Sequence, residues 1–91
     1  MNPFTNYDNM LISWICLNIQ ENTLSKPNLI STIRLRELIH NDLGVWFSHN
    51  NIMKAMAVIH IHHVDSIYNC GLGTDMVYYF DCICRRNWLN I

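Results

Sequence analysis

The chain has 91 residues, of which 51% are hydrophobic and only 14% charged, with a formal net charge of −1. That length allows one domain with its own core and leaves no room for a second catalytic lobe. The charged share is about half the usual one, and the near-neutral balance provides no global attraction to phosphate, which argues against nonspecific coating of nucleic acid. The start, "MNPFTNYDNM", lacks a basic and apolar signal pattern. The longest apolar run, around "MLISWICL", is far shorter than the roughly 20 residues that a membrane span needs. A cytoplasmic protein with no membrane partner is expected. Four cysteines, Cys16, Cys70, Cys82 and Cys84, are then expected as free thiols. Frequent Asn and Ile point to an AT-rich coding source such as a mobile element.

In chain order, Met10, Leu11, Trp14, Ile15, Cys16 and Leu17 recur at helical spacing, and Asp8 is an N-cap candidate just before them. This predicts a buried first helix over about 7–21. "NTLSKPNLIS" breaks the periodicity, with Pro27 disfavouring helix at Lys26. Leu29 to Ile33 suit one short strand. A second helix over about 34–43 follows, because Leu35, Leu38, Ile39 and Leu43 share a face and Gly44 is a suitable C-terminal cap. After the turn "GVWF", Ser48 is an N-cap candidate for a third helix over about 48–61, with Ile52, Ala55, Met56 and Ile59 on its apolar face. "VDSIYNC" and "MVYYFDCIC" are β-prone and flank "GLGTD", which predicts a hairpin over about 64–85. The tail "RRNWLNI" offers Trp88 for packing on the core or on a second subunit.

Helix, short strand, helix, turn, helix and hairpin is the order of a winged helix. The expected fold is therefore α+β, a single winged-helix domain over 1–91 with three helices and a C-terminal β-hairpin wing. From about Tyr7 to Arg86 the chain resembles the winged-helix superfamily. Its helix-turn-helix likeness lies in "IRLRELIHNDLGVWFSHNNIMKAMAVI", where Leu38, Gly44, Ser48, Ile52 and Met56 occupy the hydrophobic, turn and cap places. More narrowly, an apolar first helix with a central Trp, "NMLISWICLNIQE", followed by a Cys-containing hairpin, resembles the small CaiF/GrlA-type transcriptional regulators of enteric bacteria. These resemblances imply DNA binding and transcription regulation. The hairpin departs from the pattern of basic wings, since Asp75 sits at its tip and Asp65 and Asp81 in its flanks.

Residue chemistry points to the same place. His49, Asn50, Asn51 and Lys54 are expected on the polar face of the third helix near its N-terminal end, where a recognition helix meets base edges. Asn can bridge adenine, and Lys can meet guanine or phosphate. Arg34, Arg36, Arg85 and Arg86 are the further candidates for double-stranded DNA, chiefly through its phosphates. So few cations would bind poorly in a monomer, and a homodimer would double them. The alternative is a winged helix used for protein–protein interaction, such as an inhibitor or adaptor from a phage or mobile element, with Tyr78, Tyr79 and Trp88 as partner-binding residues.

His60, His62 and His63 lie near Cys70 and the Cys82/Cys84 pair, all of them residue types that zinc accepts. Their spacing departs from the usual paired Cys and His arrangement, so no metal and no cofactor is expected, and Cys82 and Cys84 read as small apolar strand residues. The three histidines could instead make the end of the third helix sensitive to pH. "GLG" is neither a P-loop nor a dinucleotide fingerprint, and Glu37 and Asp42 read as solvated, so no enzyme reaction is expected.

Overall fold

A computed structural model describes residues 6–64, 70–72 and 75–85. The elements run α1 (Asn6–Asn18), β1 (Ile19–Glu21), β2 (Leu29–Ser31), α2 (Thr32–Leu43), α3 (His49–Val58), β3 (Cys70–Leu72), β4 (Asp75–Val77) and β5 (Tyr79–Cys84). The architecture is α+β, with three helices packed on an antiparallel three-stranded sheet of order β1-β5-β2, plus the separate β3–β4 hairpin.

Helix α1 buries Leu11, Trp14, Ile15 and Asn18, an i, i+3, i+4, i+7 stripe that faces the core. Leu17 and Cys16, expected to be buried, lie off this stripe and are exposed, Leu17 at 75%. Asp8, expected as the cap, sits inside the first turn, where a carboxylate suits the helix dipole. The helix stops short of its expected end. Asn18 donates its amide back to Trp14 O at 2.7 Å, and the next three residues pair with β5 as a strand, Ile19 opposite Cys84 and Glu21 opposite Cys82.

Residues 22–28 then carry the chain across to the other side of β5, where Leu29 lies opposite Asp81 and Ser31 opposite Tyr79. This crossover is tied by Asp81, whose Oδ1 accepts from Asn28 N at 2.7 Å and from the Asn22 amide at 2.8 Å. These donors hold the Asp81 carboxyl below the usual carboxylate range, the Asn28 backbone N–H having the larger effect and the Asn22 amide the smaller.

Ser31 caps α2 by accepting from Arg34 N at 3.2 Å, so the helix begins two residues earlier than the periodicity indicates. It ends at Gly44, whose φ of 72° is left-handed and whose N–H returns to His40 O at 2.8 Å, a geometry that favours glycine. Ser48 caps α3 by accepting from Asn51 N at 3.0 Å. Helix α3 ends at Val58, three residues before its expected limit, because the chain turns there and His60 takes a φ of 63°. A side chain in that region costs roughly 1–2 kcal/mol.

Along β5 burial alternates, with Phe80, Cys82 and Cys84 inward. They meet Leu11, Ile15, Ile19, Leu35, Ile39, Ile52 and Met56 in the core. The hairpin pairs Cys70 with Val77 and Leu72 with Asp75, and Val64 N bonds Tyr79 O at 2.9 Å.

Candidate functional site

The start of α3 divides into two faces. Ile52, Ala55 and Met56 point inward, whereas Asn50, Asn51 and Lys54 are exposed. His49 does not join them. It is only 7% exposed, which corrects its expected place on the polar surface: it begins the helix on the side that turns toward α2.

Three elements meet at its ring. Thr32 Oγ1, at the start of α2, lies 2.5 Å from His49 Nδ1. The same hydroxyl oxygen accepts from Tyr78 N at 3.1 Å, and Thr32 N donates to Tyr78 O at 2.8 Å. On the other side of the ring, Arg36 Nη1 lies 3.5 Å from His49 Nε2, while Arg36 Nε donates to Phe47 O at 2.6 Å. The network joins the first turn of α2, the 45–48 turn, the first turn of α3 and the residue leading into β5. It fixes where the exposed amides of α3 sit.

This arrangement also assigns Arg36. Its guanidinium is half-buried, holds the turn, and lies 5.6 Å from the centre of the Trp46 ring, within the range of a cation–π contact. Trp46 in turn stacks on His40 with ring centres 3.9 Å apart and planes inclined by 10°. Arg36, expected at a solvated helix start, is instead half-buried and braces the turn, with two of its nitrogens partnered. Arg85 is placed similarly. One of its terminal nitrogens donates to Cys16 O at 2.9 Å and to Ile19 O at 3.5 Å, closing the C-terminal end of α1, where a cation suits the dipole. Arg34 is exposed and faces Glu37 at 3.5 Å. Arg86 and Trp88 lie outside the described residues.

Lys54 and Asn51 border a cleft of about 250 Å³ between α1 and α3, which Asp8, Ile12 and Ala55 complete. A carboxylate thus stands beside the two polar residues. Tyr79 lines a second cleft of about 310 Å³ together with Ser31 and Arg34. Tyr78 is half-buried against the core, and its ring meets His63 at 4.9 Å. Hence Tyr78 is a packing residue as well as a binding candidate.

His60 and His62 are exposed, His63 is half-buried, and among the described residues no three His, Cys, Asp or Glu side chains come together as a metal site. Cys82 is fully buried, and burial, with lesser contributions from Cys84 and Asp81, pushes its thiol up to about 12. No helix among the described residues is long and apolar enough to cross a membrane.

Comparison with family models, with curated proteins and with solved structures returns no match.

Two residues have roles that the sequence reading did not assign, Thr32 and Trp46. Thr32 reads in the sequence as part of a short strand over Leu29 to Ile33 but begins α2, and only its partners at positions 49 and 78 reveal its role. Trp46 was legible as a large ring in a turn, and its 56% exposure is the sort of feature that marks a contact surface.

Proposed function

We propose that the chain is a winged-helix domain that binds duplex DNA in the cytoplasm as a small transcription regulator, with α3 entering the major groove. The observation that carries this reading is the start of α3, where Asn50, Asn51 and Lys54 are exposed on a helix whose other face is anchored in the core. In the reading, Asn50 and Asn51 address base edges, while Lys54 and Arg34 meet phosphates. Three helices with a β3–β4 hairpin following α3 support it, although β5 pairs with β1 and β2 and is not part of that hairpin.

Electrostatics make the reading quantitative. With Arg36 and Arg85 bonded to backbone carbonyls, Lys54 and Arg34 are the principal phosphate contacts assigned to the described part of each protomer. Two neutralised phosphates correspond to a log–log salt slope of about −2, and a dimer to about −4. The experiment is fluorescence anisotropy of the purified protein against pooled random duplex DNA at low and moderate salt, with selection of the bound sequences. An enriched motif with a slope in that range is expected. Absence of binding at low salt would reject the reading.

The acidic neighbour of the α3 face favours a second reading, a winged-helix protein-interaction module. Asp8 borders the cleft that Asn51 and Lys54 share, and a carboxylate there opposes phosphate. On that reading Tyr79→Ala disrupts capture of a protein partner while Lys54→Ala leaves it intact. On the DNA reading Lys54→Ala weakens all sequences and flattens the slope, and Asn51→Ala relaxes preference at one base position.

A further inference from the structure

We infer that the open face of Trp46 is a stacking platform for one unpaired nucleobase, beside the part of the nucleic acid that α3 addresses. The inference deepens the DNA reading and rests on it for the neighbouring duplex, whereas the stack itself needs a single unpaired nucleotide.

The ring is held before any ligand arrives. His40, in the last turn of α2, lies parallel to the indole, with ring centres 3.9 Å apart and planes inclined by 10°. Its carbonyl is fixed in turn by the N–H of Gly44 at 2.8 Å. Arg36 stands four residues earlier on the same side of α2, with its guanidinium carbon 5.6 Å from the centre of the Trp46 ring. One face of the indole is therefore taken by α2. Trp46 is nevertheless more than half exposed, so the opposite face is left to solvent, flat and already oriented. A base can stack there with little ordering of the protein.

The surroundings decide which planar group fits. An aromatic anchor at a protein interface usually sits among neighbours that exclude water, but here Leu43 and Val45 pack against the core and Phe47 is buried. The exposed chain neighbours are Asn41, Asp42, Gly44 and Asn50. Trp46 thus stands without apolar company along the turn, and it offers area for one ring.

Charge narrows the choice further. Arg36 donates to the uncharged carbonyl of Phe47 at 2.6 Å, and among the described residues no carboxylate pairs with it. Its positive charge stays beside the ring. The two acids of α2 are engaged elsewhere, Glu37 with Arg34 at 3.5 Å and Asp42 with the Trp14 indole at 2.7 Å. A guanidinium against the indole repels a second cation and favours a ring that carries phosphate, which is a nucleotide. Trp46 precedes Asn50 by four residues, a Cα span of at most about 14 Å. The unpaired base therefore lies within a few nucleotides of those that α3 addresses.

The test is a cycle on the complete chain, reading by anisotropy a short single-stranded oligothymidylate and a strand of equal length and charge built from abasic sites. Wild type should prefer the thymidylate by about fivefold or more, the worth of one base stacked on an aromatic ring. A wild type that binds neither strand, or both equally, overturns the inference. Trp46→Ala should bind both strands as wild type binds the abasic one, and a variant that keeps the preference overturns it. Trp46→Phe, which keeps a flat ring, should retain more of the preference than Trp46→Leu; equal loss in both counts against a stack and overturns it as well. Should the variants fail to fold, NMR of the wild type decides. Thymidylate should move the indole signals of Trp46 upfield while those of buried Trp14 stay in place, and unmoved Trp46 signals overturn the inference. Signals that ignore both strands and move with an acidic phenylalanine peptide overturn it in favour of a protein partner. The random duplex pool separates the two proposals. Duplex binding without a thymidylate preference leaves the DNA reading standing and removes the platform, whereas a preference that depends on Trp46 without duplex binding sinks the DNA reading and leaves the platform for single strands.

Discussion

Two polar knots hold this chain together, one at the junction of α2 and α3 and one where residues 22–28 meet β5. Both combine hydrogen bonds between side chains with hydrogen bonds from side chains to backbone. In the first, Thr32 and His49 are buried; in the second, Asn28 is exposed, and Asn22 and Asp81 are half-exposed. The difference lies in what replaces a lost partner. At the crossover, water can take up the freed amides, so the net loss is small. At the helix junction Thr32 and His49 are shielded from solvent, so removing a partner there costs more. The buried knot therefore specifies geometry, whereas the exposed one guides the path of a loop.

The sharpest break between the two environments occurs within β5, between Asp81 in the exposed knot and Cys82 in the core. Alkylation at pH 8 should modify exposed Cys16 rapidly. Cys82, whose thiol is buried and pushed up to about 12, should react only through unfolding, at least about a thousandfold more slowly. Mass spectrometry of peptides over time gives both rates, and comparable rates would mean that the strand is not packed as described.

Thr32→Val tests the buried knot directly. The substitution keeps the shape, deletes the hydroxyl that His49 meets and strands Tyr78 N–H, which should cost about 1–3 kcal/mol in a urea melt. Asp81→Asn tests the exposed knot and should cost less. Its effect also depends on pH in a defined direction. The carboxyl of Asp81 titrates lower in the folded chain than in the unfolded one. Its contribution is thus complete above the unfolded value of about 4 and disappears as pH falls through the folded value. Wild type and Asp81→Asn should therefore differ at pH 7 and converge on acidification; a gap that widens in acid would reverse the assignment. The smallest effect belongs to Arg34 and Glu37, with side chains 50% and 52% exposed. A double-mutant cycle should give a coupling below about 0.5 kcal/mol.

Local signals were legible in the sequence and distant partnerships were not. The stripe of Leu35, Leu38 and Ile39, the cap at Ser48 and the left-handed Gly44 each follow from a few neighbouring residues, and each appears in the fold. Strand β1 could not be read, because "IQE" continues an apolar helical pattern and becomes a strand only through pairing with residues 82–84. The end of α3 was missed because nothing adjacent to His60 marks it as the residue that turns. At the candidate site, Asn50, Asn51 and Lys54 have the exposure that the pattern indicates. His49 and Arg36 were misplaced for a common reason: a polar residue near a helix start reads as solvated until its tertiary partners are known.

The central position of β5 has a consequence in time. Both of its neighbours, β1 and β2, precede it by more than half the chain. During synthesis all three helices leave the ribosome before the strand that completes their core. Until Phe80 and Cys82 arrive, the apolar surfaces of Leu11, Ile15 and Ile19 have no cover from β5. Sheet closure over such a separation is slow compared with helix formation. The nascent chain thus passes through an interval in which self-association competes with folding, and a holdase would act in that interval.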